Sequence, residues 1–313
     1  MSQQANHALP SAFQLNEYRI EQKLSSGGFS IVYLATDEKG QYVVIKEYLP
    51  SNLVLRGKGE VTPEIPPQHE YIFRYGMKCF FEEVRAIARL DHPNIVRVLN
   101  FFRANGTIYM VMKYEEGRTL QNIIHKNREM ITENFLRTIF TKILNGLREV
   151  HVHRLLHLDF KPSNIYLCHN NIPVIIDFGA ARQTLISDAP MLKSIYTPGF
   201  GSPEHYKNRE DLGPWSDIYS VGASMYACLA GVAPLAANSR VEKDRLIPAM
   251  VRWEGQYSDQ LLEIIDQCMC LNPLYRPQSV FALQKMLAEQ ATLNKRTWLI
   301  NLANRLKLKG RNR

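Results

Sequence analysis

The sequence predicts an α+β protein of two lobes, a small β-rich one followed by a larger, mainly helical one. Three observations predict it. The 313 residues leave room for two compact lobes at roughly 100–200 residues per domain. Short β-rich runs over 18–46 are broken by Ser-Ser-Gly-Gly and Glu-Lys-Gly-Gln, as in the hairpins of an antiparallel sheet. Later, Leu136, Ile139, Phe140, Ile143, Leu144, Leu147 and Val150 recur at helical spacing, and the pattern stays mostly helical from Pro203 to about residue 292.

Each element follows from local chemistry. Residues 1–14 are polar and aperiodic and read as disordered. Pro50, Pro63, Pro66 and Pro67 keep 47–79 irregular. Phe80, Val84, Ile87 and Ala88 then share a helix face, 107–114 reads as a strand, and Thr132 is placed to N-cap the long helix. Residues 179–203 read mostly as loop. The stretch 218–237 carries no charge over twenty residues, close to what a bilayer needs. Ser220, Gly222, Ser224, Gly231 and Pro234 within it fit a helix buried on all sides instead.

Composition narrows the class further. With 45% apolar and 22% charged residues, collagen-like, mucin-like and wholly disordered readings are excluded. Cys79, Cys168, Cys228, Cys268 and Cys270 lack metal-ligand spacing and fit free thiols in a reducing compartment. The first thirteen residues have neither a basic start nor an apolar run, so a cytoplasmic location is expected. Lys and Arg number 38 against 30 Asp and Glu, a net +8, and seven of those basic residues fall in 295–313, which has no acid. The remaining 294 residues carry 8 − 7 = +1, so no nucleic-acid surface is expected on the body.

The motifs point to phosphoryl chemistry, which requires phosphates held, their charge neutralised and an acceptor hydroxyl aimed in line. Leu24-Ser25-Ser26-Gly27-Gly28-Phe29-Ser30, between two strands, can turn backbone N–H groups toward phosphate oxygens. Alone it also fits a plain hairpin. Sixteen residues after Ser30, Val-Val-Ile-Lys ends a strand on Lys46. His-Leu-Asp-Phe-Lys-Pro-Ser-Asn (157–164) and Ile-Ile-Asp-Phe-Gly (175–179) follow. Asp159 can orient a hydroxyl and Lys161 can neutralise phosphate. Asn164 and Asp177 offer the hard oxygens that Mg²⁺ prefers.

Over about residues 15–290, this ordered set resembles the eukaryotic-like serine/threonine protein kinases, with the look of a stand-alone bacterial member. The resemblance implies a bilobal kinase-like fold, with an N-lobe over 15–114 that has one main helix and carries an insertion at about 50–79. It implies a C-lobe over 115–290 and a basic tail over 291–313. It further implies ATP and Mg²⁺, with Lys46 on the α/β-phosphates and paired with Glu83, which lies nine residues before His92. Asp159 is the implied base, and Asn164 and Asp177 are the metal ligands. Met112 is the gatekeeper, Lys113 and Glu115 offer backbone to adenine, Val32 and Val44 cover the ring, and Tyr166 lies below it. Thr197 positions a protein substrate with a Ser or Thr acceptor. Glu204 pairs with Arg276, and Asp217 caps the catalytic-loop backbone, both as scaffold.

Three departures bear on regulation. Ser25 and Ser30 replace outer glycines of the nucleotide loop, and their Cβ atoms restrict φ. Leu158 replaces the arginine that in this family reads a phosphorylated activation loop, so activity independent of loop phosphorylation is expected even if Thr184, Ser187, Ser194 or Tyr196 is modified. Between Lys46 and Glu83 lie 36 residues, longer than the family pattern; the extra segment is either a docking or regulatory element or an inert insertion. In the tail, Trp298, Leu299, Leu302 and Leu306 share a face near Arg305, Lys309 and Arg313. This stretch either folds back on the catalytic lobe, lies on an anionic inner-membrane surface or binds an acidic partner. The alternatives to an active protein kinase are a nucleotide-binding scaffold and a small-molecule kinase.

Overall fold

The computed structural model describes residues 6–178, 196–207 and 209–288. Thr184, Ser187, Ser194 and the basic tail at 291–313 lie outside them. The chain divides into two compact units. Within the described residues, the first comprises 6–118 and 166–178, and the second 119–165, 196–207 and 209–288.

The first unit is built on an antiparallel sheet of β1 (Gln14–Leu15), β2 (Tyr18–Ser26), β3 (Ser30–Thr36), β4 (Tyr42–Tyr48), β5 (Val98–Ala104) and β6 (Thr107–Lys113), in the order β1-β2-β3-β4-β6-β5. Alternation along β3 buries Ile31, Tyr33 and Ala35 and leaves Val32 and Leu34 half-buried. Opposed residues share a face in such a ladder. The pairs Val32 with Lys46, Leu34 with Val44 and Val44 with Met112 therefore put all five side chains on one face. Ser25 and Ser30 lie within β2 and β3 at ordinary negative φ, so the two missing glycines introduce no backbone strain here.

Helix α1 (Glu70–Ile87) starts right after Pro66 and Pro67, earlier than the expected irregular stretch of 47–79 allows. The prolines cannot donate to a helix but can begin one, so the irregular part is confined to 49–66. The disordered start expected over 1–14 is also corrected for residues 6–14. The Asn6 side chain accepts from Arg56 N–H (2.6 Å), Leu9 N–H donates to the Tyr33 hydroxyl (3.1 Å) and is buried, and Ala12 N–H donates to Ile20 O (2.7 Å). Burial of Leu9 and Leu15 supplies the anchoring that polar neighbours conceal in the sequence.

A second sheet orders β7 (Gly117–Thr119), β8 (Ile165–Cys168) and β9 (Pro173–Ile175) side by side. Gly117 is required there, because a Cβ would collide with the Leu167 carbonyl. The single boundary expected between 114 and 115 becomes a discontinuous one. Residues 173–175 are laced to 94–96: Val96 N–H donates to Ile175 O, Ile175 N–H to Asn94 O, and Asn94 Nδ2 to Pro173 O.

The second unit is helical: α2 (Leu120–Lys126), α3 (Glu133–Val152), α4 (Pro214–Ala230), α5 (Ala237–Glu242), α6 (Ala249–Arg252) and α7 (Asp259–Cys268), with helical backbone again over 280–288. Thr132 caps α3 by accepting from Phe135 N–H (3.2 Å), and the apolar stripe from Leu136 to Val150 is buried. Helix α4 is buried on every side from Ser216 to Leu229. It stops at Ala230 because Gly231 follows at φ +81°, a left-handed cap that a β-carbon disfavours. Among the described residues, no helix is long and apolar enough to cross a membrane.

Candidate active-site residues

In the first unit, Lys46 lies within β4, which continues to Tyr48 rather than ending on the lysine as expected; it is buried, and its Nζ lies 2.5 Å from Asp177 Oδ1. Glu83 is buried on α1. Gly27 N–H donates to Ser30 O (2.9 Å), closing the turn that carries Gly27, Gly28 and Phe29; Leu24 and Phe29 are exposed. Met112 is buried at the end of β6, and Lys113 spends its N–H on Arg97 O and pairs its ammonium with the half-exposed Glu115 carboxylate. Tyr166 stands on β8, where burial pushes its phenol above the usual range. Asp177 holds a left-handed φ of +62°, which aspartate tolerates better than most residues.

In the second unit, four predicted residues come together. Lys161 Nζ donates to Asp159 Oδ2 (2.6 Å) and to Thr197 Oγ1 (2.6 Å), and Thr197 Oγ1 donates to Asp159 Oδ1 (2.8 Å). Asn164 Nδ2 donates to the Asp159 backbone carbonyl (2.9 Å) and to Oδ2 (3.2 Å). Both carboxylate oxygens of Asp159 are thus aimed, one by a cation and an amide, the other by a hydroxyl. With its amide nitrogen committed to Asp159, Asn164 presents Oδ1, a hard oxygen, and Asp177 presents a half-exposed carboxylate. Each is, taken singly, the kind of hard oxygen donor that Mg²⁺ prefers.

The loop carrying Asp159 is held from α4. Asp217 accepts from Leu158 N–H (2.8 Å), His157 N–H (2.9 Å) and His151 Nε2 (2.7 Å). Its complete burial would raise the carboxyl, but the His151 and His157 contacts outweigh that and hold it below the usual carboxylate range. These bonds retain Leu158 at φ +60°, a left-handed conformation costing about 1–2 kcal/mol. Arg276 Nη1 and Nη2 donate to Glu204 Oε1 (2.6 Å) and Oε2 (3.2 Å), and Ser216 Oγ donates to Oε1 (2.9 Å).

His205 was not among the predicted site residues. Its Nδ1 accepts from Ser202 N–H (3.1 Å) and lies 2.8 Å from Ser202 Oγ, while Nε2 donates to the Leu158 carbonyl (3.1 Å). These partners suit the neutral imidazole alone. Burial pushes its pKa below the ordinary 6.5, against the pull of Asp217, Glu204 and Asp159. Only its place directly after Ser-Pro-Glu hinted at such a role. Because the folded value lies below the unfolded one, the unfolded chain takes up the proton first on acidification. The contribution of His205 is therefore complete above about pH 6.5 and declines below it, by at most about 1.4 kcal/mol per pH unit. Urea midpoints measured at pH 7.5 and 5.5 are expected to fall for the native chain, and to fall less for His205→Gln.

The protein kinase domain model matches residues 18–289. The chain belongs to the protein kinase family. It is 36% identical to the human serine/threonine-protein kinase Nek2 over 214 residues, 62% of this chain and 46% of the relative. It is 29% identical to the probable serine/threonine-protein kinase PkwA of Thermomonospora curvata over 276 residues, 87% of this chain and 34% of the relative. The chain thus spans less than half the length of these two curated relatives. A solved structure described as the PpkA-294 apo form superposes with a TM-score of 0.81 at 32% identity, covering 90% of this chain and 99% of that one.

Proposed function

We propose that the protein transfers the γ-phosphate of ATP to serine or threonine hydroxyls of protein substrates. The observation that carries this is the Thr197 hydroxyl donating to Asp159 at 2.8 Å beside Lys161. A substrate hydroxyl replacing Thr197 there meets a carboxylate able to take its proton and an ammonium able to balance the phosphate. Lys46 supplies the cation for the α/β-phosphates and Glu83 orients Lys46. Leu24, Ser25, Ser26, Gly27, Gly28, Phe29 and Ser30 form the phosphate loop. Val32, Val44, Met112, Lys113, Glu115 and Tyr166 surround the base. Asn164 and Asp177 would hold Mg²⁺, which supplies charge neutralisation on the phosphates. The named relatives are serine/threonine-protein kinases, which supports the hydroxyl class.

Ser163 stands in the catalytic loop where arginine-selecting members of the family often carry an acid, which supports substrates selected without a strict arginine requirement. Leu158 offers no cation to a phosphorylated loop, and Asp217 and His205 hold its backbone without one. The transfer rate is therefore expected to survive phosphatase treatment of the purified chain within about twofold, and to vanish when Mg²⁺ is chelated. A large loss after phosphatase treatment contradicts the regulatory part of the reading, and transfer that persists in chelator contradicts the metal assignment.

A further inference from the structure

The segment 49–66 is left unexplained by the phosphoryl chemistry, yet it is tied to both the nucleotide loop and the sheet. Its start holds the loop tip. Leu49 N–H donates to Phe29 O (2.9 Å), Ser51 N–H to Gly28 O (2.9 Å) and Ser51 Oγ to the same carbonyl (3.3 Å). The Pro50 carbonyl then accepts from Leu53 and Val54, forming a turn that buries both side chains, and Leu55 exchanges backbone bonds with Glu64.

The anchor is Arg56, fully buried on the sheet face opposite Lys46. A guanidinium has five N–H donors, and five bonds are made. Nε donates to His7 O (2.9 Å), Nη1 to Glu47 Oε1 (2.5 Å) and Val61 O (3.4 Å), and Nη2 to Glu47 Oε2 (2.7 Å) and the Tyr33 hydroxyl (2.9 Å). Glu47, the residue after Lys46, is completed by the hydroxyls of Tyr33 (2.7 Å) and Tyr109 (2.7 Å). An inert insertion would be fixed at its ends and solvated between them. This one is fully desolvated at a charged pair, an arrangement whose directional bonds specify geometry rather than add net stability.

We propose that residues 49–56 are a strap that positions the nucleotide loop, with Ser51 holding Gly28 and Arg56 as the positioning residue that fixes the strap to β4. The inference rests on the nucleotide reading of Gly28 and Lys46. It decides against an inert insertion.

Two substitutions in the full chain test it. Ser51→Pro removes both donors to Gly28 while suiting the first corner of the turn that follows Pro50. Arg56→Met removes the anchor. Losing one to two hydrogen bonds corresponds to about three- to tenfold. Ser51→Pro is expected to raise KM for ATP by that factor and speed amide exchange over 25–30, with KM for the protein substrate and the melting temperature unchanged. Arg56→Met, if it folds, should show the same split with a lower melting temperature. A lost scaffold contact alone would lower the active fraction without moving KM for ATP. Unchanged KM for ATP and unchanged loop exchange in Ser51→Pro overturn the proposal. If the native chain binds no ATP, the nucleotide reading falls with the proposal's role in catalysis, while the exchange data still report whether the strap holds the loop.

Discussion

Asp159→Asn is expected to lower kcat by about 10²–10⁴-fold while leaving KM for ATP within about twofold. Asparagine keeps the side-chain volume and can still meet Lys161 or Thr197, which sit at 2.6 and 2.8 Å from the carboxylate oxygens. What it loses is the capacity to accept a proton and the charge that balances Lys161. Steady-state kinetics with varied ATP and fixed protein substrate separate the two effects. A parallel rise of KM for ATP would mean that Asp159 acts in binding rather than in the transfer step.

The second large effect is on stability. Glu204→Ala leaves the Arg276 guanidinium buried with the carbonyls of Trp215, Cys270 and Leu271 and no counter-charge. Removing one member of a buried ion pair costs about 3–5 kcal/mol. Burial would raise the Glu204 carboxyl, but Arg276 outweighs it and keeps the group ionised, so the charged pair is the resting state at neutral pH. A urea unfolding midpoint should fall by a corresponding amount. The double replacement Glu204→Met with Arg276→Met should recover part of the loss, because apolar residues leave no uncompensated charge. A double variant as unstable as the single one would show that the hydrogen bonds to the carbonyls, not the pair, hold this corner.

Much of this was legible because the chemistry lies in contiguous runs. The 157–164 and 175–179 segments carry Asp159, Lys161, Asn164 and Asp177 at short spacings, and the structure gathers the first three within one unit around Thr197. Helix α3 was legible because its stripe repeats over about four turns, from Leu136 to Val150, with a capping threonine at its head.

What escaped depends on long-range partners. Arg56 and Glu47 lie 9 residues apart with no motif to join them; only the fold brings them to 2.5 Å, with Tyr33 and Tyr109 around them. Residues 6–9 looked disordered because their anchors, Arg56 and Tyr33, lie far along the chain. His205 carried no signal beyond its neighbours, since its function is to bridge Ser202 and a backbone carbonyl 47 positions away. The return of 166–178 to the first unit could not be read from composition, because backbone bonds between 94–96 and 173–175 tie it there.

The most direct test of the account is to incubate the purified chain with Mg·ATP and a generic protein substrate and to identify the phosphorylated residues by mass spectrometry, with Asp159→Ala in parallel. Phosphoserine and phosphothreonine that appear with the native chain and disappear with the variant are the predicted result. Absence of protein phosphorylation despite ATP binding, or equal phosphorylation by Asp159→Ala, would contradict it.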